Sequence, residues 1–289
     1  MNAYYCDLTI QNPNGLNNFT EIRGTHSPGR ENEDVTSIIR TSSSISTNFP
    51  SIICNTFPNV QTLKAWSIGI ERIDEDSFKN CRNLDFLDLS GNRIFEIHEK
   101  SFSENKRLNS LLLMENILTT LPETIFLNQF NLGILVISSN NFTDLPLKIF
   151  ATLKNLVKLD IGDCQLHQLR VEWFRNLLNL QILQLPSNQF EDFPHNVFNP
   201  IRELLELDLD FNQLKVIHSD WFGILPNFRI LHLRANQINA VDERFIDNND
   251  IVSLGMLNNL CLNDIITDFT SSKLEMRAAL QTCFKNFSI

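Results

Sequence analysis

One pattern of apolar and polar positions repeats along most of this chain. It reads L-x-x-L-x-L-x-x-N-x-L-x-x-L followed by a phenylalanine, and it begins at intervals of 24 residues, at Val60, Leu84, Leu108, Leu132, Leu156, Leu180, Leu204 and Phe228. Its fourth and sixth positions are mostly leucine or isoleucine and alternate with variable residues, which predicts a half-buried β-strand in each unit. Such a unit cannot bury its apolar face alone, so the repetition predicts a solenoid in which each turn packs against its neighbours.

Two further columns of the pattern predict how the turns are held together. The ninth position is asparagine at Asn92, Asn116, Asn140, Asn188, Asn212, Asn236 and, in the closing strand, Asn259, with Ile68 and Cys164 as replacements. Asparagine can donate and accept hydrogen bonds, so this column is expected to satisfy backbone groups where the chain leaves each strand. The nineteenth position supplies a predicted core spine of rings on the side opposite the strands: Phe78, Phe102, Phe126, Phe150, Phe174, Phe198 and Phe222. Phe245 arrives one residue early, which indicates a single deletion in the last full turn.

The flanking segments are expected to cover the two ends of the array, because a solenoid would otherwise expose its core. Residues 1–59 are predicted to form an N-terminal cap, with a hairpin from 4–11 and 19–23 and a degenerate turn that contains Ile38, Ile45 and Phe49. Residues 60–250 hold the eight repeats, and 251–289 hold a final strand and a C-terminal cap. In that cap, Ser272 and Glu275 form a capping box for a helix that uses Leu274, Ala278 and Leu280 against the last strand. A single domain, 1–289, is the prediction.

The chain resembles the leucine-rich repeat proteins, in the 24-residue subclass typical of animal extracellular receptors and matrix proteins, from roughly Val60 to Asn259. The resemblance implies an α/β fold: a right-handed, horseshoe-shaped solenoid with a parallel β-sheet on its concave side, which agrees with the handedness of parallel crossovers. The flanks are similar to those of secreted insect leucine-rich immune proteins, through the stretch 19–26 with Asp34-Val35 and through the segment from Cys261 to Cys283.

Cysteine positions favour an oxidising compartment. Cys261 and Cys283 lie where a disulfide would pin the C-terminal cap, and Cys54 and Cys81 lie about one turn apart, so that the solenoid would bring them together. Cys6 is then left over, although a pairing of Cys6 with Cys54 is the alternative. Cys164 stands in the asparagine column and is expected to be a buried free thiol.

Other features of the sequence point to secretion. Asn18, Asn141 and Asn286 are N-x-S/T acceptors for glycosylation, and the chain shows no apolar run long enough to cross a membrane. It begins without a signal peptide, which fits a processed chain. The formal charge of −10 argues against nucleic acid and anionic membranes as partners. A monomer is expected unless a C-terminal extension is missing.

No catalytic, cofactor or metal site is predicted. The sequence has no glycine-rich phosphate loop, no H-E-x-x-H and no G-x-S-x-G, and its histidines are scattered. His232 projects from the predicted sheet with Asp208 in the same column one turn earlier, which is more simply a solvated surface pair than a catalytic one.

The candidate ligand site is the set of variable side chains on the concave face. The first four repeats place apolar residues there, and the next three place mainly acidic residues. The last repeat then contributes basic residues. The candidates are Trp66, Phe86, Leu112, Met114, Ile134, Val136, Asp160, Asp163, Glu206, Asp208, Asp210, His232 and Arg234. Large exposed apolar patches mark contact sites, and acidic groups would select a basic partner.

These observations predict a secreted, non-enzymatic recognition or scaffold protein that binds a protein or microbial-surface ligand, and the resemblance implies a role in innate immunity. Relatives with a coiled coil beyond the repeats form disulfide-linked dimers that hold complement-like proteins, but this chain stops after its cap. The alternatives are a structural or adhesive matrix protein, a receptor ectodomain and a secreted enzyme inhibitor, which the fold alone does not separate.

Overall fold

The computed structural model describes residues 5–11, 21–23, 31–41, 49, 51–262 and 273–287. Asn18, Ile45 and Ser272, on which sequence predictions fall, lie outside these residues, as does the side chain of Cys6. The chain forms two compact units, Met1–Asn141 (unit 1) and Phe142–Ile289 (unit 2). The prediction of a single domain with eight repeats and two caps stays a prediction.

The regular elements of unit 1 are almost all short strands, which irregular segments and turns connect. Its elements, in chain order, are β1 (Tyr5–Gln11), β2 (Glu21–Arg23), a 3-10 turn (Asn32–Asp34), β3 (Ser37–Thr41), α1 (Ile52–Thr56), β4 (Thr62–Lys64), β5 (Arg72–Ile73), β6 (Phe86–Asp88), β7 (Glu96–Ile97), β8 (Ser110–Leu112) and β9 (Ile134–Val136). The main sheet of this unit has the order β2-β1-β3-β4-β6-β8-β9. All neighbours are parallel except β1 and β2, which pair antiparallel as the predicted hairpin requires.

Unit 2 continues the same scheme with short helices between some strands. Its elements are β10 (Lys158–Asp160), α2 (Val171–Phe174), β11 (Ile182–Gln184), β12 (Glu206–Asp208), β13 (Val216–Ile217), a 3-10 turn (Ser219–Trp221), β14 (Ile230–His232), β15 (Ala240–Val241), α3 (Arg244–Asn248), β16 (Ser253–Gly255), α4 (Lys273–Ala279) and α5 (Gln281–Asn286). Its main sheet has the parallel order β10-β11-β12-β14-β16.

The register of these strands follows the sequence period. Leu63 lies opposite Leu87 in unit 1, and Leu183 lies opposite Leu207 in unit 2, so equivalent positions of successive turns stack directly. All four leucines are fully buried. The predicted fold class, a leucine-rich repeat solenoid built on a parallel sheet, is therefore confirmed.

The asparagine column forms the predicted hydrogen-bond ladder. Asn92 Oδ1 accepts hydrogen bonds from the backbone N–H groups of Ile68 and Ile70 at 3.0 and 3.1 Å. Its Nδ2 donates to the carbonyl oxygens of Ala65 and Leu89 at 2.9 and 2.7 Å. A buried group without a partner would cost about 1–3 kcal/mol, so each amide joins two turns while satisfying the backbone where the chain leaves the strand.

The phenylalanine column forms the core on the other side of the turns. In unit 1 the Phe78 and Phe102 rings lie 5.8 Å apart between centroids. In unit 2 the Phe198 and Phe222 rings lie 5.6 Å apart, and Phe245 fills the shifted position 4.9 Å from Phe222. Although Phe245 comes one residue early in the sequence, its ring still packs against Phe222 in the core, as the predicted deletion requires.

The C-terminal cap differs in part from its prediction. It contains two short helices, and it turns Met276, Leu280 and Cys283 inward, whereas Leu274 is 77% exposed and Ala278 is also exposed. The expectation that Leu274 and Ala278 face the core was wrong, because the buried positions follow the spacing i, i+4, i+7 that ends at the disulfide cysteine. Helix α5 packs against β15.

Candidate functional site

The strand face consists of the side chains at the third, fifth and seventh positions of each turn, which alternate with the buried leucines. In unit 1 this face carries the six predicted apolar residues, but they are not equally accessible. Trp66 and Ile134 are 37% and 36% exposed. Phe86, Leu112 and Met114 are half-buried, and Val136 is only 7% exposed. Trp66 and Ile134 are therefore the accessible apolar groups, whereas Val136 offers little surface to a ligand.

A lysine that the sequence analysis did not include completes the apolar face. Lys64 Nζ lies 5.5 Å from the centroid of the Phe86 ring, within the range of a cation–π contact. Lys64 also lies opposite Asp88 in the sheet register. Lys64 is half-buried, and the signal in the sequence was a lysine on one strand with an aromatic residue on the strand of the next turn.

In unit 2 the predicted residues of the strand face are polar, although Ile182 and Ile230 also lie on this face. Asp160, Glu206, Asp208 and His232 lie on strands, at the third or fifth position of their turns, and Asp210 and Arg234 follow two of these strands at the seventh position. All six are half-buried. Asp163 is different, because it occupies the eighth position, where the chain has already left the strand, and it is exposed.

Aspartates at the fifth position have a structural role that the sequence analysis missed. The Oδ1 atoms of Asp88, Asp160 and Asp208 accept hydrogen bonds from the backbone N–H two residues later, at 3.0, 3.0 and 2.9 Å. Such local side-chain bonds shape turns. The recurrence of aspartate in one column was the available signal, and one oxygen of each carboxylate is therefore committed to the fold.

Asp210 is the electrostatically unusual group of this face. Burial raises the pKa of its carboxyl above the ordinary value, and the nearby Asp208 charge raises it further. The hydrogen bond that Asp210 Oδ1 accepts from the backbone N–H of Arg234, at 2.6 Å, opposes this increase, as do the charges of His232 and Arg234.

His232 makes its nearest ionic contact with a different residue from the one expected. It lies opposite Asp208 in the sheet register, as its column predicts. The carboxylate within ion-pair distance is that of Glu206, whose Oε1 lies 3.9 Å from His232 Nε2. The His232 side chain leans toward Glu206, which lies diagonally across from it on the neighbouring strand. The register gives only the residues directly opposite and so did not predict this contact.

The eighth position holds the backbone in the left-handed region in every turn. The residues concerned, with φ between +49° and +66°, are Ser67, Gly91, Glu115, Ser139, Asp163, Ser187, Phe211, Ala235 and Asn258. This conformation costs a residue with a Cβ roughly 1–2 kcal/mol, and glycine and asparagine adopt it most readily. Phe211 is the large aromatic residue among them, at φ +56°, and it is 61% exposed.

The structure contains both disulfides that the sequence favoured, Cys54–Cys81 and Cys261–Cys283. Cys164 is a free, buried thiol whose Sγ lies 3.3 Å from the carbonyl oxygen of Gly162. Asn141 and Asn286, the two acceptor asparagines within the described residues, are exposed. Asn286 Nδ2 also donates to the carbonyl oxygen of Asn239 at 3.0 Å, a contact that a glycan would have to accommodate.

Metal sites, membrane spans and cavities are the other features that bear on function in the described ranges. No group of three or more histidine, cysteine or acidic side chains there could hold a metal ion. Within those ranges, too, the helices are too short or too polar to cross a bilayer. A cavity of about 230 Å³ in unit 1 lies away from the strand face and is lined by Glu99, Lys100, Ser103, Thr124, Ile125, Leu127, Asn128 and Gln129.

Comparison with known sequences identifies the repeat. The family described as "Leucine rich repeat" matches residues 58–118, 154–214 and 202–260, which together make up more than half of the chain. Epiphycan of Gallus gallus is 41% identical over 54 residues, which is 19% of this chain and 17% of epiphycan. The chain therefore aligns with less than a fifth of that relative.

Solved structures with the same fold come from diverse proteins. A chain in the crystal structure of the TLR13–ssRNA13 complex matches with a TM-score of 0.70 and 20% identity, over 81% of this chain and 37% of that one. A leucine-rich repeat protein of Leptospira interrogans gives 0.60 and 21%, over 87% and 72%. A chain of the Drosophila Toll–Spatzle complex gives 0.66 and 21%, over 78% and 34%. At these identities the likeness shows the fold alone.

Proposed function

Because the chain belongs to the leucine-rich repeat family, we propose that it is a secreted, non-enzymatic recognition or scaffold protein. Its ligand is a protein or a component of a microbial surface, which it binds through the strand face. Solenoids of this kind present a continuous row of side chains from adjacent strands, and the fold is of the kind used in protein-binding and immune receptors.

The observation that carries the proposal is the exposure of large apolar side chains on the strand face of unit 1. Trp66 and Ile134 remain 37% and 36% exposed there, although the same turns bury their leucines completely. Aromatic residues are enriched at protein interfaces, and charged residues are depleted from the interface core. In this part of the face Lys64 and Asp88 supply the charges, so a partner could bury Trp66 and Ile134 with little desolvation of ions.

Two disulfides support an extracellular location, since such bonds persist in oxidising environments. The short similarity to epiphycan, a matrix proteoglycan, agrees with it. A role in innate immunity rests on the resemblance of the flanks to those of secreted insect leucine-rich immune proteins. The Toll–Spatzle complex, one chain of which shares the fold, is described as a hub in development and innate immunity.

A structural or adhesive matrix protein is the second candidate function. The observation that favours it is the 41% identity with epiphycan over 54 residues. This alternative predicts binding to matrix fibres in place of a microbial or humoral ligand. The acidic balance, −10 overall, disfavours anionic glycosaminoglycans as the matrix component.

The test is ligand capture with a variant that alters the strand face of unit 1. The oxidised, glycosylated protein is immobilised and exposed to the body fluid of its source, to whole bacteria and to fibrillar collagen. We expect the immobilised protein to retain either a component of the body fluid or the bacteria. The Trp66→Ser/Ile134→Ser variant should retain it about tenfold less well or worse, because central apolar anchors dominate interface energies.

A matched variant controls for the loss of exposed apolar area. Leu127 and Phe130 are each 55% exposed and lie outside the strand face of unit 1, so Leu127→Ser/Phe130→Ser should capture the ligand as the natural protein does. Retention on collagen alone would favour the matrix function. Equal capture by Trp66→Ser/Ile134→Ser, with unchanged circular dichroism, would remove this face as the site.

A further inference from the structure

Phe211 is a residue that the fold does not require. Its backbone conformation is set by the turn, because the N–H of the eighth-position residue donates to a carbonyl of the next turn in most of the repeats. The Phe211 N–H donates to Arg234 O at 2.8 Å, just as the Ser187 N–H donates to Asp210 O at 2.9 Å. Serine, alanine and asparagine fill the same position in neighbouring turns of unit 2. A side chain as large as phenylalanine therefore adds backbone strain at this position without stabilising the turn.

The Phe211 ring also contributes little to packing. It is 61% exposed, whereas Phe198 and Phe222 in the core of the same unit are fully buried. Within the described residues it makes no aromatic stacking contact. The strained backbone position raises the free energy of the folded chain, and the exposed ring gains little burial to offset it, so its apolar surface remains available to a partner.

The surroundings of Phe211 indicate which partner group would suit it. Glu206, Asp208 and Asp210 belong to the same turn, and each is half-buried. Asp208 and Asp210 each use one oxygen in a backbone hydrogen bond. Among the described residues, neither Oδ2 atom accepts a further hydrogen bond. His232 and Arg234 in the next turn offset part of this negative charge. Asp210 directly precedes Phe211 in the chain, so the acidic turn and the exposed ring are neighbours in sequence.

Carboxylates alone would only keep this surface hydrated, but carboxylates beside an exposed ring favour a cation with a planar or aliphatic stem. The ring face attracts a cation, and a guanidinium group can pair with a carboxylate at the same time. We propose that Phe211 anchors a basic segment of a partner protein, with an arginine or lysine side chain on the ring and its charge paired by Asp208 and Asp210. The inference rests on the proposed function, since it names the chemistry of a partner on the strand face.

The test uses a defined probe, a fluorescein-labelled octa-arginine peptide, and measures its anisotropy with the full chain at low ionic strength. Phe211→Gly removes the ring and suits the positive φ, so we expect it to raise the melting temperature while weakening peptide binding about threefold, the size of an exposed cation–π contact. Phe211→Leu, which keeps apolar bulk, should weaken binding similarly.

Asp208→Asn/Asp210→Asn should weaken peptide binding about tenfold, and the affinity should then depend less steeply on salt concentration.

Ala235→Gly is the matched control, because Ala235 occupies the same position one turn later at φ +51°. It should raise stability and leave peptide binding unchanged. Binding by Phe211→Gly that equals that of the natural chain, or no saturable binding by the natural chain, would overturn the proposal. The Trp66→Ser/Ile134→Ser variant should bind the peptide normally, so a failure of the proposed ligand site in unit 1 remains distinguishable from a failure here.

Discussion

The carboxylate of Asp210 accepts a hydrogen bond from the backbone N–H of Arg234 in the following turn, at 2.6 Å. The same carboxyl is the acid on the strand face of unit 2 whose pKa is raised by burial. The Asp210 carboxylate therefore joins two turns, but its burial disfavours the ionised form in the folded state. Because the folded pKa is raised, the free energy of unfolding of this unit should depend on pH.

The first prediction concerns Asp210→Asn. Because the folded pKa is above the unfolded one, the folded state binds more protons in the window between them, and stability falls as pH rises through it. The penalty is fully present at neutral pH. An asparagine oxygen can still accept from Arg234 N–H, so Asp210→Asn should raise the free energy of unfolding at pH 7. The gain should shrink as pH falls toward about 4, the ordinary value for aspartate.

The measurement is chemical denaturation at several pH values, with Asp85→Asn as the control for loss of one negative charge from an exposed position. A gain that is the same at pH 7 and at pH 4 would show that the amide acts through packing or hydrogen bonding, not through the titration of Asp210.

The second prediction has the opposite sign and concerns Asp144. Arg170 donates to it through Nε at 3.2 Å and through Nη2 at 2.5 Å, and this pair holds the pKa of Asp144 below its ordinary value, with burial opposing. That stabilisation is present above the unfolded pKa and is lost as pH falls through the lowered folded pKa. Since both side chains are about one-third exposed or more, Arg170→Met should cost only about 0.5 kcal/mol at pH 7.

This cost should disappear in acid, where Asp144 is protonated. The control is Arg175→Met, because Arg175 makes a longer contact of 3.6 Å with Glu172 and is 67% exposed. A loss for Arg170→Met that persists unchanged at low pH would mean that the aliphatic stem of Arg170, and not its charge, is what stabilises the turn.

The sequence predicted the repeating part of the fold well, because its periodicity is the physical cause of the structure. Leucines that recur at 24 residues must stack if every turn is to bury its apolar face, and the register Leu183 opposite Leu207 shows that they do. Asn92 and its equivalents were predictable for a related reason, since a polar side chain inside an apolar array needs partners.

The sequence predicted which apolar residues share the strand face of unit 1, but not how exposed each of them is, and it wrongly included Asp163 and omitted Lys64. Val136 and Ile134 come from the same strand and have the same alternation, yet they are 7% and 36% exposed. Alternation tells which face a side chain joins, whereas neighbouring strands about 4.8 Å apart decide how much of it they cover. Phe211 was missed because its position lies just beyond the strand, where the pattern assigns no face.

The C-terminal cap was the least predictable element. Leu274 and Met276 are both apolar, and a short helix with few apolar residues fits more than one face. Cys283 was the better guide, since its disulfide with Cys261 fixes which side of the helix turns inward. Counting back from Cys283 gives Leu280 and Met276, the residues that are buried.

The third prediction concerns the asparagine ladder. Asn188 Oδ1 accepts from Leu166 N–H at 3.0 Å, and its Nδ2 donates to the carbonyl oxygens of Ile161 and Leu185 at 2.9 and 3.2 Å. Asn188→Leu would leave these buried groups without partners, so it should cost about 2–4 kcal/mol. Gln189→Leu, at the exposed neighbouring position, should change the free energy of unfolding by less than about 0.5 kcal/mol. Equal losses for the two variants, measured by guanidinium denaturation, would contradict the ladder's role.

The fourth prediction concerns the attachment of the C-terminal cap. The Cys261–Cys283 disulfide acts together with Arg277, which pairs with Glu243 and with Asp247. Closing a loop of this size stabilises a fold by about 3 kcal/mol, so Cys261→Ala/Cys283→Ala should weaken the cap by about that amount.

In a solenoid each turn depends on its neighbours, so this loss should appear first as local opening of α4 and α5. Hydrogen exchange should therefore accelerate in 273–287 while β10 and β11 keep their protection. Arg277→Met, with the disulfide intact, should produce a smaller acceleration confined to the same segment, because the pairs of Arg277 are largely exposed to solvent. Uniform acceleration across unit 2 in the cysteine variant would instead show that the cap and the repeats unfold together, and that the disulfide stabilises the unit as a whole.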